Sequence, residues 1–226
     1  MGSVGSHTRR RHEGAKMGMS RSGSGEEFEF SNPVGSFVDV ARRVVLQPAR
    51  FFAGVPRSGS LLNPLVFALV CVVVSAILSA VLVLTGVQQN PGFNPNPQNA
   101  IPSVFAPGSA ILGVLFAPIG GAIGLFVAAA IQQLLVRFVV GANNAGFVST
   151  FKVAAYTQVT SLVNWIPIVG PLVALYGLYL AIVGIREVHR TTTGKAALVV
   201  LIPFAVVLVV ALIVVAAAGI AVLSQR

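Results

Sequence analysis

Apolar residues gather along this chain into long runs that are separated by short polar segments. A helix needs about 20 apolar residues to cross the hydrocarbon core of a bilayer. Three runs reach that length, at residues 64–87, 109–136 and 196–223. The pattern therefore predicts three membrane-spanning helices, and Pro118 is placed to kink or tilt the second of them.

A weaker apolar stretch lies between Lys152 and Arg186 and is interrupted by NWIPIVGP. The two prolines and the glycine of this motif break a helix, so the stretch predicts two short spans, 152–166 and 171–185. A re-entrant hairpin, which enters and leaves the membrane on one side, is the alternative that the pattern leaves open. The predicted fold class is all-α: a polytopic transmembrane helical bundle of five spans, in a membrane domain covering residues 49–226.

Two segments precede the spans. Residues 1–30 are rich in Gly, Ser and Arg and are expected to form a disordered basic tail. Residues 31–48 predict an amphipathic helix that Asn32 caps, Pro33 begins and Pro48 ends. This helix either lies in the membrane interface or packs on the protein's own loops, and the sequence favours neither. Phe51 and Phe52 follow it and are expected at headgroup depth.

The composition supports a membrane protein. Hydrophobic residues make up 55% of the chain and charged residues only 9%, whereas soluble domains carry about a quarter charged residues. Lipid must therefore replace water over most of the surface, which makes the bilayer the expected partner. The formal net charge of +9 is confined to short segments, so it indicates orientation and not a nucleic-acid partner.

The positions of the cations predict which segments face the cytoplasm. With the N-terminus inside, nine Lys or Arg residues precede the first span, two lie in the next inside loop and three in the loop 184–196. Fourteen of the fifteen cations are then inside, and only Arg226 is outside. The positive-inside rule therefore predicts a cytoplasmic N-terminus, an outer loop at 88–107 and an outer C-terminus, in a multi-pass protein of the cell (inner) membrane.

The residue types that membrane chemistry requires are missing from the predicted spans. No charged residue lies at mid-depth, and neither a Ser–His pair nor an HExxH motif occurs. Such groups mark transport paths and intramembrane catalysis. We therefore expect no enzyme activity, no cofactor and no metal site. Cys71 is the only cysteine, so an intrachain disulfide is excluded.

Two groups of polar residues remain as candidate sites. Five cations beside the cytoplasmic interface form a hypothetical docking site for anionic lipids or a cytoplasmic protein: Arg42, Arg43, Arg186, Arg190 and Lys195. Three neutral residues of the third span are expected to face the bundle interior: Gln158, Ser161 and Asn164. Hydrogen bonds between helices are the first interpretation of this second group. A small-solute path lined by Gln158, Asn164 and Tyr179 is the alternative.

Small residues at spacings of four form stripes along the second span and indicate close helix packing. One stripe is Gly113, Ala117 and Gly121, and the other is Gly120, Gly124 and Ala128. Packing within one chain is the first interpretation, and the oligomeric state stays open.

Four segments in a fixed order resemble the Yip family, named for Ypt/Rab-interacting proteins, in its bacterial branch. LQPARFF precedes the first span and NPLVFAL begins it; NWIPIVGP ends the third span, and LYGLYLAIVGIREVHRTTTGKAALVVLIP follows. The resemblance covers about residues 46–215. It implies a five-span helical membrane domain with a cytoplasmic N-terminus and a non-enzymatic role as an interaction or membrane-organising module. The chain lacks the Asp-Leu-x-Gly-Pro motif of the eukaryotic members, so their Rab binding is not implied.

Overall fold

A computed structural model of the chain describes residues 28, 32–86, 106–166 and 169–223. Every regular element within these residues is a helix, which confirms the predicted all-α class. The helices are α1 Pro33–Leu46, α2 Pro48–Gly54, α3 Leu62–Leu84, α4 Ala106–Val139, α5 Phe147–Thr157, α6 Ser161–Asn164, α7 Gly170–His189 and α8 Thr193–Leu223, with a 3-10 turn at Gln158–Thr160 between α5 and α6. The expected tail (apart from Phe28), most of the outer loop 88–107 and Arg226 lie outside the described residues.

Helix α1 begins and ends where its sequence predicts. The Asn32 side chain accepts a hydrogen bond from the Gly35 N–H at 3.2 Å, and Pro33 occupies the first helical position. This proline costs no hydrogen bond, because the first turn of a helix has no partner for its N–H groups. Pro48 then opens α2 directly after the single residue that separates the two helices.

Helix α1 packs on the bundle through one of its apolar faces. Val40 and Val44 are fully buried, and the ring of Phe37 lies 5.0 Å from that of Phe67 on α3. A second apolar stripe of the same helix points outward, with Val34 75% and Val38 60% exposed. One face of α1 therefore packs on the bundle and another is exposed, and the position of this helix in the membrane interface stays a prediction.

Aromatic side chains connect the short helices to the bundle. Phe51 packs edge-on against both Phe52 and Tyr156, at ring centroid distances of 5.3 and 5.1 Å. Phe51 and Phe52 are buried in the core and so contact protein and not lipid, and their expected headgroup depth stays a prediction. Phe28 also packs in this core with 3% of its surface exposed, although it falls in the segment expected to be a disordered tail.

Four helices among the described residues are long and apolar enough to cross a membrane, where the sequence predicts five spans. The candidates are Leu62–Leu84, Ala110–Val139, Gly170–His189 and Thr193–Val210. The predicted third span, 152–166, is divided between α5, the 3-10 turn and α6, so no single helix reaches spanning length there. Large apolar side chains on α3, α4 and α8 remain exposed, as on helices that contact lipid.

Side-chain hydroxyls account for the break in this third segment. Thr157, Thr160 and Ser161 each donate to a backbone carbonyl three or four residues earlier, at 2.7 to 2.9 Å. Such bonds compete with the helical ladder and favour tighter or bent turns. The hydroxyls are thus satisfied within their own segment and do not bond to neighbouring helices.

Helices α5–α6 and α7 form a closely packed hairpin. A Cβ atom on Gly184 would lie 2.6 Å from Val153 Cγ1, and one on Gly177 would lie 3.3 Å from the Thr160 hydroxyl oxygen. Glycine allows the two backbones to approach at these positions. The contacts also fix the register, because Gly184 faces α5 and Gly177 faces the 3-10 turn.

Candidate functional site

Four polar or charged side chains are buried where α5 begins and α7 ends. Ser149, Thr150 and Lys152 are fully buried, and His189 is 5% exposed. We call this part of the bundle, formed by residues 56–58, 133–152 and 184–196, the basal end. Buried polar groups are costly unless they are hydrogen-bonded, so their partners decide what this cluster can do.

His189 links three elements of the basal end through a chain of hydrogen bonds. Its Nδ1 accepts from the Ala145 N–H at 3.1 Å, so the ring proton is on Nε2, which lies 3.0 Å from the Thr150 hydroxyl. Thr150 donates to Gln133 Oε1 at 2.5 Å, and Gln133 donates to Asn144 Oδ1 at 2.9 Å. Each group in this chain has a consistent donor or acceptor role.

Asn144 completes the network in the loop between α4 and α5. Its Oδ1 also accepts from the Gly146 N–H at 2.9 Å, and its amide donates to the Gly141 carbonyl at 2.8 Å. Gly141 and Gly146 have φ angles of +105° and +83°, which glycine adopts readily. The network therefore holds this loop between α4, α5 and the end of α7.

Lys152 and Ser149 hold the connection between α2 and α3. The Lys152 ammonium donates to the carbonyls of Pro56 and Ser58, at 2.9 and 3.0 Å. The Ser149 hydroxyl donates to the carbonyl between them, that of Arg57, at 3.1 Å. Three consecutive carbonyls are thus satisfied by one turn of α5, so these side chains fasten an irregular segment to the bundle.

The arrangement of these side chains is structural. His189 and Thr150 bond to each other and to neighbouring protein groups, and the Lys152 ammonium is directed at backbone carbonyls. Within the described residues, no group of three His, Cys, Asp or Glu side chains could hold a metal ion. The basal network therefore joins α4, α5, α7 and the connection between α2 and α3.

The five predicted docking cations differ in their partners. Arg42, Arg190 and Lys195 are exposed. Arg43 instead bonds the Asp39 carboxylate one turn earlier at 2.5 Å, and Arg186 bonds the adjacent Glu187 carboxylate. Arg190 has a second role, because it ends α7 in the left-handed conformation with φ 49°.

The three predicted interior residues lie along the 3-10 turn and α6. Gln158 and Ser161 are partly buried, and the Ser161 hydroxyl donates to the Gln158 carbonyl at 2.7 Å. Asn164 is exposed at the end of α6, which differs from the interior position that the sequence predicts. A Cβ atom on Gly170 would lie 2.6 Å from the Asn164 backbone carbonyl oxygen.

Tyr179 does not share a cavity with these residues. It lines an open pocket of about 400 Å³ with Gln47, Pro48, Ala49 and Arg50, on the side of α7 that faces α2. Neither Gln158 nor Asn164 contributes to this pocket. This pocket does not connect Tyr179 with Gln158 and Asn164, and a small-solute path through spans three and four stays a prediction.

Sequence reasoning missed the basal network and the pocket beside α2. Charge counting places Lys152 in a loop, although its position in an otherwise apolar run, followed by the small and apolar residues Val153, Ala154 and Ala155, is a signal of burial. His189 carries no comparable signal, because its partners Thr150 and Ala145 are about forty residues away in the chain.

The comparison with known families agrees with this architecture. No curated protein and no solved structure matches the sequence significantly. The model of the Yip1 domain matches residues 42–215, which include every element from the second half of α1 into α8. With more than half of its length matched, the chain belongs to the Yip1 domain family.

Proposed function

We propose that this Yip1-domain protein is a non-enzymatic, multi-pass protein of the cell (inner) membrane that acts as an interaction or membrane-organising module. The main support is the contrast between two sets of polar residues at the basal end. Those with catalytic potential, such as His189 and Lys152, are buried and bonded within the fold. The exposed ones are cations beside apolar helices.

The orientation in this proposal follows from charge. The basal end and the N-terminus are cytoplasmic, and the C-terminus is outside, because fourteen of the fifteen Lys and Arg residues then lie inside. In this orientation Arg190 and Lys195 are on the cytoplasmic side of the membrane, where α7 ends and α8 begins.

Three exposed cations, Arg42, Arg190 and Lys195, are the docking residues in this proposal. They bind anionic headgroups or an acidic segment of a cytoplasmic protein. Each cation near an anionic leaflet contributes about 1 kcal/mol, and the attraction decays within a Debye length. Arg43 and Arg186 contribute less, because each is partly neutralised by its own carboxylate.

A triple variant, Arg42→Gln, Arg190→Asn and Lys195→Gln, tests the docking role. Asparagine is chosen at position 190 because it tolerates the left-handed conformation of that residue. After purification in mild detergent, mass spectrometry of bound lipids and co-purifying proteins should show a loss that depends on salt. Loss of bound lipid would identify anionic headgroups as the partner, and loss of a co-purifying protein would identify an acidic segment of a cytoplasmic protein.

A control variant removes the same number of charges from the N-terminal segment: Arg9→Gln, Arg10→Gln and Arg11→Gln. It should keep the lipid and protein content of the wild type. If the two triple variants behave alike, or if neither loses a partner, the three docking residues have no binding role and the proposal fails.

A further inference from the structure

The pocket between α2 and α7 combines features of a phospholipid headgroup site. The Arg50 guanidinium stands at its edge and donates to Gln47 Oε1 at 3.1 Å. Among the described residues Arg50 has no carboxylate partner, unlike Arg43 and Arg186. Gln47 is bonded to Arg50 and orients it, and the half-exposed Tyr179 lines the other wall.

Contacts along α7 give the depth of this pocket. The Tyr176 hydroxyl donates to the Val45 carbonyl at 2.5 Å, which joins the end of α1 to α7. Phe52 lies against Gly184, so α2 runs beside α7 from the level of Tyr179 toward the basal end. With a rise of 1.5 Å per residue, Tyr179 is about 14 Å from the first residue of α7 and about 15 Å from the last.

Charged residues place this level at the membrane interface. Arg42 lies three residues before Val45 on an exposed position of α1, and Arg50 is exposed at the pocket. An arginine in the hydrocarbon core costs several kcal/mol, whereas headgroup depth is favourable for both Arg and Tyr. A start of α2 at the level of the headgroups of one leaflet would satisfy both arginines and Tyr179.

An apolar strip runs along α7 from the pocket toward the hairpin turn. Leu175 and Leu172 follow Tyr179 on the same face, at spacings of four and three residues. Their side chains are 63% and 68% exposed. The Arg50 guanidinium and the Tyr179 hydroxyl thus lie at one end of an apolar surface that suits an acyl chain.

We propose that Arg50, Gln47 and Tyr179 form a binding site for the headgroup phosphate of an anionic phospholipid of the cytoplasmic leaflet, with one acyl chain along Leu175 and Leu172. Arg50 donates to the phosphate oxygens with its planar fork, and Tyr179 donates its hydroxyl. The site rests on the proposed orientation for its leaflet, but it shares no residue with the docking cations.

Native mass spectrometry of the full-length protein in mild detergent tests the site, with phosphatidylglycerol or phosphatidylcholine titrated in. The wild type should bind one phosphatidylglycerol in preference to phosphatidylcholine. Arg50→Gln should weaken that binding about tenfold, since a charge-assisted hydrogen bond is lost. Arg50→Lys should give a smaller loss, because it keeps the charge without the fork.

Arg137→Gln is the matched control, because it removes an exposed arginine at the end of α4, away from the pocket. Equal losses in Arg50→Gln and Arg137→Gln would mean diffuse attraction and overturn the site. Displacement of the lipid by an equal concentration of glycerol phosphate would identify a free-anion site instead. A loss confined to Arg50→Gln, with the triple docking variant unchanged, would support the site even if the docking proposal fails.

Discussion

At the scale of single residues, the sequence located exposed charge better than buried polarity. Arg42, Arg190 and Lys195 are exposed as their positions beside apolar runs predict. Lys152 and His189 belong to predicted solvated loops and are buried instead. A polar side chain becomes buried when distant segments supply its partners, and those partners cannot be read from local pattern.

Substitution of Thr150 measures how much the basal network stabilises the fold. Thr150→Val keeps the shape of the side chain but removes the hydroxyl that lies between His189 and Gln133. Two buried partners would lose a bond, and each unsatisfied group costs about 1–3 kcal/mol. We expect a clear drop in the melting temperature of the detergent-solubilised protein.

Thr157→Val is the control for this experiment. Its hydroxyl donates only to the Val153 carbonyl of its own helix, at 2.7 Å. Bonds of this kind contribute little to the stability of a helix, so the melting temperature should change much less. Equal shifts in melting temperature for the two variants would show that the chain of hydrogen bonds through Thr150 does not stabilise the basal end.

At the scale of helices, long apolar runs predicted the elements and local chemistry set their limits. The predicted spans 64–87, 109–136 and 196–223 correspond to α3, α4 and α8, with ends that differ by only a few residues. The predicted span 152–166 differs most, because its hydroxyls bond to their own backbone and the helix tightens at Gln158–Thr160. Hydropathy alone contains no information about such competition.

Small-residue stripes predicted close packing but not the face on which it occurs. In the first stripe, a Cβ on Gly121 would lie 3.0 Å from Val72 Cγ1 on α3, whereas one on Gly113 would meet no heavy atom of a neighbouring described element within 4 Å. A Cβ on Gly120 or Gly124, in the second stripe, would meet no heavy atom of a neighbouring described element within 4 Å. Spacing defines a stripe, whereas the arrangement of all helices decides which stripe is used.

Gly184→Ala tests the close approach of α5 and α7. The added methyl group would meet Val153 and Phe52 in the core, and overpacking of this kind costs about 1–3 kcal/mol. Gly124→Ala is the matched control, because it makes the same change in a helix where the space is open. Alanine favours a helix over glycine by about 1 kcal/mol, so thermal denaturation should show a loss for the first variant and a small gain for the second.

At the scale of the whole molecule, charge counting and hydropathy predict a membrane bundle but not the path of the α5–α7 hairpin. A hairpin that crosses fully and one that re-enters both return to the same side, so cations in the flanking loops cannot distinguish them. The register between α1 and α7 distinguishes the two paths once the depth of α1 in the membrane is known. Tyr176, which bonds Val45, is six residues from the first residue of α7, or about 9 Å along the helix.

With α1 at headgroup depth, this register predicts a re-entrant hairpin. If the charged end of α1 and Arg50 stay at headgroup depth, the turn between α6 and α7 reaches only about 10–15 Å farther into the membrane. The hydrocarbon core is about 30 Å thick. Helices α3, α4 and α8 would then cross the membrane, and the hairpin would end inside it, with the N- and C-termini still on opposite sides.

Cysteine labelling in a Cys71→Ser background tests this path. An impermeant thiol reagent added to intact cells should label Asn96→Cys in the predicted outer loop and should not reach Thr192→Cys at the basal end. Val169→Cys, in the turn between α6 and α7, should also stay unlabelled from outside, because the turn remains within the membrane. Labelling of Val169→Cys as strong as that of Asn96→Cys would show that the hairpin crosses fully, in which case α1 and Arg50 would lie deeper than headgroup level. Reversed labelling of Asn96→Cys and Thr192→Cys would instead invert the orientation of the whole protein.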